Sequence, residues 1–138
     1  MIIGYTTGVF DLFHVGHVTI LKNAKSMCDK LIVGVSSDEL VSYKNKRAVI
    51  PFEERMQIVS ACKYVDLTVP QLNMDKLEAH RRYKFSKMFV GDDWFDSEKW
   101  KDFDQKFSKI GVDIIYFPYT KTTSSTLINE TLKKLRSE

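Results

Sequence analysis

Several features that mark large protein classes are scarce or missing in this chain. Only two of its 138 residues are cysteines. Neither Cys28 nor Cys62 belongs to a Cys-x-x-Cys pair, so a disulfide framework is not expected, and two reduced, buried thiols are. The net charge is only +3, and the lysines are scattered rather than gathered, which argues against a nucleic-acid partner. No apolar run is long enough to cross a bilayer, and MIIGYTTGVF carries no basic region ahead of its apolar residues. Neither a membrane span nor a signal peptide is expected, and a cytoplasmic location follows by default. Neither a G-x-G-x-x-G fingerprint nor a Walker glycine-lysine loop occurs. Glycines number six and prolines three, with no linker, repeat or low-complexity segment.

What is present is a regular alternation. MIIGYTT, KLIVGVS (Lys30–Ser36), YVDLTV (Tyr64–Val69), KMFVG (Lys87–Gly91) and VDIIYF ending before Pro118 are compact, β-branched apolar runs that predict strands. Between them lie helical patterns: His17 to about Met27, a short helix from Ser37-Asp38-Glu39, a helix opened by Pro51, the polar stretch MDKLEAHRRY, and Ser97–Ile110. A last helix is capped by Ser124 or Ser125. Continuous apolar strands separated by amphipathic helices predict a five-stranded parallel sheet covered on both faces. The expectation is a single doubly wound α/β domain over residues 1–138. In that architecture ligands bind beyond the carboxyl ends of the strands, at a switch point. The loops there are Thr7–His17, Ser36–Pro51, Gly91–Asp96 and Pro118–Ser125.

Two of the three histidines in the chain, His14 and His17, sit in the first of these loops, around Gly16. Zinc needs three or four ligands. The third histidine, His80, falls on a polar helix and no cysteine pair assists, so a metal site is the weaker reading. A purely structural role for both rings leaves Gly16 unexplained, because a glycine there lets a ligand approach the backbone as a helix begins. A helix N-terminus favours anions through its N–H groups and dipole, and imidazoles beside it can donate to phosphate oxygens.

Gly8-Val9-Phe10-Asp11 followed by His14-Val15-Gly16-His17 resembles the HxGH signature of the nucleotidylyltransferase superfamily. Lys44 and Lys46 in the second loop, Arg55, KYVD at Lys63–Asp66, GDDW at Gly91–Trp94 and SST at Ser124–Thr126 resemble its cytidylyltransferase branch, above all glycerol-3-phosphate cytidylyltransferases. The resemblance runs through nearly the whole chain in order. It implies a Rossmann-like fold and a reaction in which CTP and a small phosphorylated alcohol give a CDP-alcohol and pyrophosphate. Mg2+ would be bound mainly through the substrate phosphates. It also implies a homodimer with KYVD at a two-fold interface. His14, His17, Lys44 and Lys46 would be the catalytic residues. The nucleotide would meet Thr7, Gly8, Val9, Phe10, Gly16, Gly91, Asp92, Trp94, Thr120, Lys121, Ser124 and Ser125. The acceptor would meet Asp11, Lys44 and Arg55. An acceptor phosphate is already a competent nucleophile, so such a site must supply alignment and charge neutralisation rather than a base.

The pattern departs from the family in two places. Tyr119 stands where the family carries an arginine after the last strand, with Lys121 nearby, and Lys63 replaces another arginine before the YVD segment. A tyrosine cannot replace a guanidinium fork, so both changes bear on the acceptor more than on the chemistry. Adenylyltransferases of the same superfamily are the nearest rival. A nucleotide-binding regulatory protein without turnover is a rival of another class.

Overall fold

The computed structural model describes residues 1–43, 47–91, 98–117 and 130–135. Strand β1 (Ile3–Gly8) leads to helix α1 (Val15–Lys25), then β2 (Lys30–Ser36), α2 (Asp38–Tyr43) and α3 (Phe52–Ser60). β3 (Leu67–Gln71), α4 (Lys76–Tyr83), β4 (Lys87–Gly91), α5 (Glu98–Lys109) and β5 (Asp113–Phe117) follow. Residues 130–135 are helical. The strands form one five-stranded sheet in the order β3-β2-β1-β4-β5, and every described pairing is parallel. The chain winds outward from β1 to β3, then crosses back to β4 beside β1. That reversal places a switch point between the carboxyl ends of β1 and β4.

The strands read as unbroken apolar runs because both faces of the sheet are covered. On one face Tyr5, Ile32, Val69 and Met88 pack with Phe85, with Leu77 and Ala79 of α4 and with Phe103 and Phe107 of α5. On the other, Leu31, Val33, Val35 and Phe89 pack with Leu21 and Ala24 of α1 and with Val59 of α3. Gly4 is a close-approach position, since a Cβ there would lie 2.6 Å from Phe89 Cε2 and 2.8 Å from Cys28 Sγ. Thr6 Oγ1 donates to the Phe89 carbonyl at 2.9 Å, stitching β1 to β4 below the switch point. At the opposite end of the sheet, Asp66 accepts from the Leu31 amide at 2.8 Å and from Lys25 Nζ at 2.6 Å.

β2, β4 and β5 occupy the predicted segments, and the third strand is shifted. It begins at Leu67 rather than Tyr64 and runs through Pro70 to Gln71. β3 is an edge strand, so the missing N–H of Pro70 deprives no neighbour of a ladder bond. α1 begins at Val15, with His14 as its N-cap, two residues before the apolar periodicity becomes visible at His17. Cys28 and Cys62 are both free thiols at the margin of the second core cluster.

Phe107 is fully buried and contacts the rings of Phe85, Phe103 and His80. Truncating such a ring leaves a cavity that the neighbouring helices cannot fill. Phe107→Ala is expected to lower the urea-unfolding free energy by about 3–5 kcal/mol. A loss below about 1 kcal/mol would mean that α5 is not anchored through this ring.

Candidate functional site

The segment from Val9 to His14 is an unusual piece of backbone. Phe10 (φ 53°) and Leu12 (φ 49°) are both non-glycine residues in the left-handed region, a conformation that stores strain and recurs at functional sites. Asp11 lies between them and is 7% exposed. Its Oδ2 accepts from the Val49 amide at 2.8 Å and its Oδ1 from the Ile50 amide at 2.9 Å. Phe10 turns inward, with its ring centroid 5.5 Å from that of His17 and its edge filling the space a Cβ on Gly8 would need.

The two histidines close this turn onto α1. His14 Nδ1 accepts from the Gly16 amide at 3.0 Å, and His17 Nδ1 accepts from the His14 amide at 3.1 Å. This is a capping box built from two imidazoles. An amide can only donate, so each Nδ1 must present a lone pair, and the proton of each ring resides on Nε2. The rings lie 4.1 Å apart between centroids, and Phe13 stacks on His17 at 5.2 Å. Burial lowers the pKa of His14. Burial lowers that of His17 to about 4, with proximity to His14 adding to the shift and Asp11 partly opposing it. The unfolded chain takes up a proton near the ordinary histidine value of about 6.5, whereas the folded chain resists until near pH 4. His17 therefore costs the fold stability as pH falls through that window.

The anion site expected from the bare N–H groups of this helix is built differently. The Gly16 amide is taken by the His14 ring, and the His17 and Val18 amides point at the His14 carbonyl, at 3.0 and 3.2 Å. With these three amides engaged, donation near this terminus rests chiefly on two neutral Nε2–H groups.

The other predicted residues divide into three groups. Thr7 and Gly8 end β1, Gly16 is buried in the first turn of α1, and Gly91 ends β4, so all four sit around the switch point with Val9 and Phe10. Lys44, Lys46, Asp92, Trp94, Tyr119, Thr120, Lys121, Ser124 and Ser125 lie outside the described residues. Arg55 is placed otherwise than the resemblance implied. It is fully buried, with Nε on the Ile50 carbonyl, Nη1 on the carbonyls of Val9 and Ser36, and Nη2 on Asp38 Oδ1. Enclosed by these partners, the guanidinium faces protein acceptors rather than open solvent. Lys63, the other departure, lies against the ring of Tyr64, at 5.1 Å.

One cation at the strand ends escaped the sequence reading. Lys76, at the start of α4, is 4% exposed, and its Nζ donates to Thr7 Oγ1 at 2.9 Å. The polar pattern of MDKLEAHRRY suggests a solvated helix. Only the parallel topology, which swings α4 over the carboxyl end of β1, brings that ammonium inward. His80 lies on the face opposite the histidine pair, edge-on to Phe85 at 5.1 Å. Among the described residues no group of three His, Cys, Asp or Glu side chains converges to hold a metal ion. No helix among them is long and apolar enough to cross a membrane.

Comparison with known proteins places this geometry in context. A profile of the cytidylyltransferase-like family matches residues 5–131. A glycerol-3-phosphate cytidylyltransferase of Bacillus subtilis is 34% identical over 131 residues, covering 94% of this chain and 96% of that protein. An FAD synthase of Pyrococcus horikoshii is 38% identical over 117 residues, covering 81% and 77%. A lipopolysaccharide core biosynthesis protein of Thermoplasma volcanium superposes with a TM-score of 0.73 at 26% identity, over 89% of this chain and 99% of that one. By the family match across nearly its full length, this chain belongs to the cytidylyltransferase-like family.

Proposed function

We propose that this nucleotidyltransferase moves CMP from CTP to a small phosphorylated alcohol, glycerol 3-phosphate first among them, and releases pyrophosphate. The observation that carries the reading is the imidazole pair at the switch point, fixed by backbone amides as two neutral Nε2–H donors. An acceptor phosphate oxygen attacks the α-phosphorus of CTP in line. The bond from that phosphorus to the bridging oxygen breaks, and pyrophosphate leaves with the electron pair. No proton must be removed from the nucleophile, so no base and no covalent intermediate are required. His14 and His17 stabilise negative charge growing on the phosphate oxygens, and being neutral already they need no proton from solvent. Lys44, Lys46 and Lys121 would supply cations in this reading, and Ser124 and Ser125 hydroxyl donors. Asp92 and Trp94 would contribute to cytosine recognition beside Gly91. Lys76, buried beside Thr7, adds a fixed positive charge. Mg2+ carried on the triphosphate would supply further neutralising charge, and an ion held chiefly by phosphates would need few protein ligands.

The relatives named FAD synthase favour a second reading, in which the acceptor is a phosphorylated flavin and the donor is ATP. Pyrophosphate release decides between them. CTP with glycerol 3-phosphate is expected to turn over at least about tenfold faster than ATP with the flavin phosphate, since even modest pocket differences discriminate by that much. The reverse order would move the chain to the second reading, and no release with either pair would sink both.

His17→Ala is expected to keep the fold and lose about a hundredfold or more in kcat, the typical cost of removing one preorganised donor to developing charge. Near-normal turnover in a folded His17→Ala protein would remove the histidine from the reaction.

A homodimer also belongs to this reading. Edge strand β3 exposes Leu67 and, just beyond its end, Leu72, directly after the Lys63–Asp66 segment. Light scattering at micromolar concentration is expected to report twice the 16.0 kDa chain mass. A single-chain mass would contradict a C2 pairing.

A further inference from the structure

We infer that Arg55, backed by Asp38, is a positioning residue that locks the left-handed turn bearing the histidine pair to Val49 and Ile50, at the trailing end of the basic loop whose sequence carries Lys44 and Lys46. The inference rests on the nucleotidyltransferase reading of the site and reassigns a residue that the family resemblance would place against the acceptor.

The brace is a closed circuit of hydrogen bonds. Arg55 Nη1 donates to the Val9 carbonyl at 2.8 Å, at the entrance to the turn. Two residues on, Asp11 receives the amides of Val49 and Ile50 on its two oxygens. The Ile50 carbonyl then accepts from Arg55 Nε at 2.8 Å, closing the ring. The second Nη1 bond, 2.7 Å to the Ser36 carbonyl, fixes the circuit to the end of β2. On the outer side Asp38 Oδ1 accepts from Nη2 at 2.6 Å, while its Oδ2 accepts from the Phe52 amide at 3.1 Å. The Phe52 ring lies 5.8 Å from the guanidinium carbon. A planar, five-donor group is the one side chain able to serve four acceptors diverging in this way, and a lysine cannot reproduce the fork.

Two consequences follow from the circuit. Phe10 and Leu12 hold left-handed backbone that L-residues avoid, and such a turn persists only when its surroundings over-determine it. The guanidinium on one side and the Asp11 carboxylate on the other supply that constraint. In addition, Val49 and Ile50 follow Lys44 and Lys46 closely in sequence. The exit of the basic loop is thus tied to the same carboxylate and guanidinium that hold the histidine turn. Displacement of one displaces the other, so Arg55 acts on the reaction through geometry and not through contact with the acceptor.

The test combines kinetics with amide hydrogen exchange in Arg55→Lys and Asp38→Asn. A misplacement of about an ångström remote from the chemistry can cost on the order of a hundredfold. Arg55→Lys is expected to lower kcat by about that factor while the acceptor KM changes less than about threefold, the pattern of a lost transition-state alignment. Asp38, whose side chain is 54% exposed, can be neutralised without opening the core. Asp38→Asn is expected to lower kcat by about tenfold in the same pattern. Without any ligand, the Val49 and Ile50 amides are expected to lose about tenfold or more of their exchange protection in both variants, because local opening sets their exchange rate. A raised acceptor KM with unchanged kcat in Arg55→Lys would overturn the inference and return Arg55 to the acceptor. Unchanged protection at Val49 and Ile50 in both variants would overturn it as well. If Arg55→Lys fails to fold, Asp38→Asn decides alone. If the wild-type protein transfers no nucleotide, the functional reading fails, and the exchange measurement still decides whether the brace exists.

Discussion

The two bonds from backbone amides to imidazole Nδ1 atoms, Gly16 to His14 and His14 to His17, are the constraint on which the rest of the site depends. Each bond does three things at once. It caps the start of α1, a contribution of about 1 kcal/mol for a good cap. It fixes the orientation of a ring. It also fixes the tautomer, because an amide facing Nδ1 forces the proton to Nε2. A protonated ring would have to break its amide bond, so the capping geometry reinforces the burial that already disfavours charge on His17. A neutral donor suits phosphoryl transfer on a polyanion. In the proposed reaction it would stabilise charge as it grows without clamping a departing pyrophosphate.

The fold brings this device to the place where it can act. β1 is the central strand of the sheet, and the reversal of winding beside it leaves a crevice between its carboxyl end and that of β4. The core holds β1 from both faces, through Tyr5 stacked on Phe85 at 4.7 Å on one side and through the Phe89 and Leu31 cluster on the other. A rigid strand end followed by a strained turn is a common way to aim functional groups, since the scaffold holds what the local backbone resists. Arg55 and Asp11 extend that rigidity to the segment returning from the basic loop.

Much of this is legible in the residues themselves. KLIVGVS and KMFVG have no alternative as strands once their flanks are helical, and β2 and β4 occupy those segments. The histidine spacing around Gly16 marked the mouth of the first loop as the candidate site, and His14, Gly16 and His17 are joined there by hydrogen bonds. What was not legible depends on long-range placement. Pro70 reads as the end of a strand, and only its location on the sheet edge lets the strand continue. Arg55 stands on a helix beside Glu53 and Glu54 and is assigned to the acceptor by the resemblance, with nothing in the sequence to mark it as buried. Its burial requires four acceptors drawn from segments up to 46 residues away in sequence. Lys76 reads as one charge among many, and its inward turn is set by where α4 crosses β1. Charged residues whose partners are backbone carbonyls or a distant hydroxyl leave no periodic signal in the chain.

The central claim is that the histidine pair is held neutral, with both protons on Nε2. Long-range proton–nitrogen correlation spectra of imidazole-labelled protein, recorded from pH 7.5 down to the acid limit of the fold, test it directly. His17 is expected to show the Nε2–H pattern through the whole neutral range and to titrate near pH 4. His14 is expected to share the tautomer and to titrate below the ordinary histidine value. A His17 that takes up a proton at about pH 6.5, the value of an unrestrained imidazole, or that carries its neutral proton on Nδ1, would contradict the account.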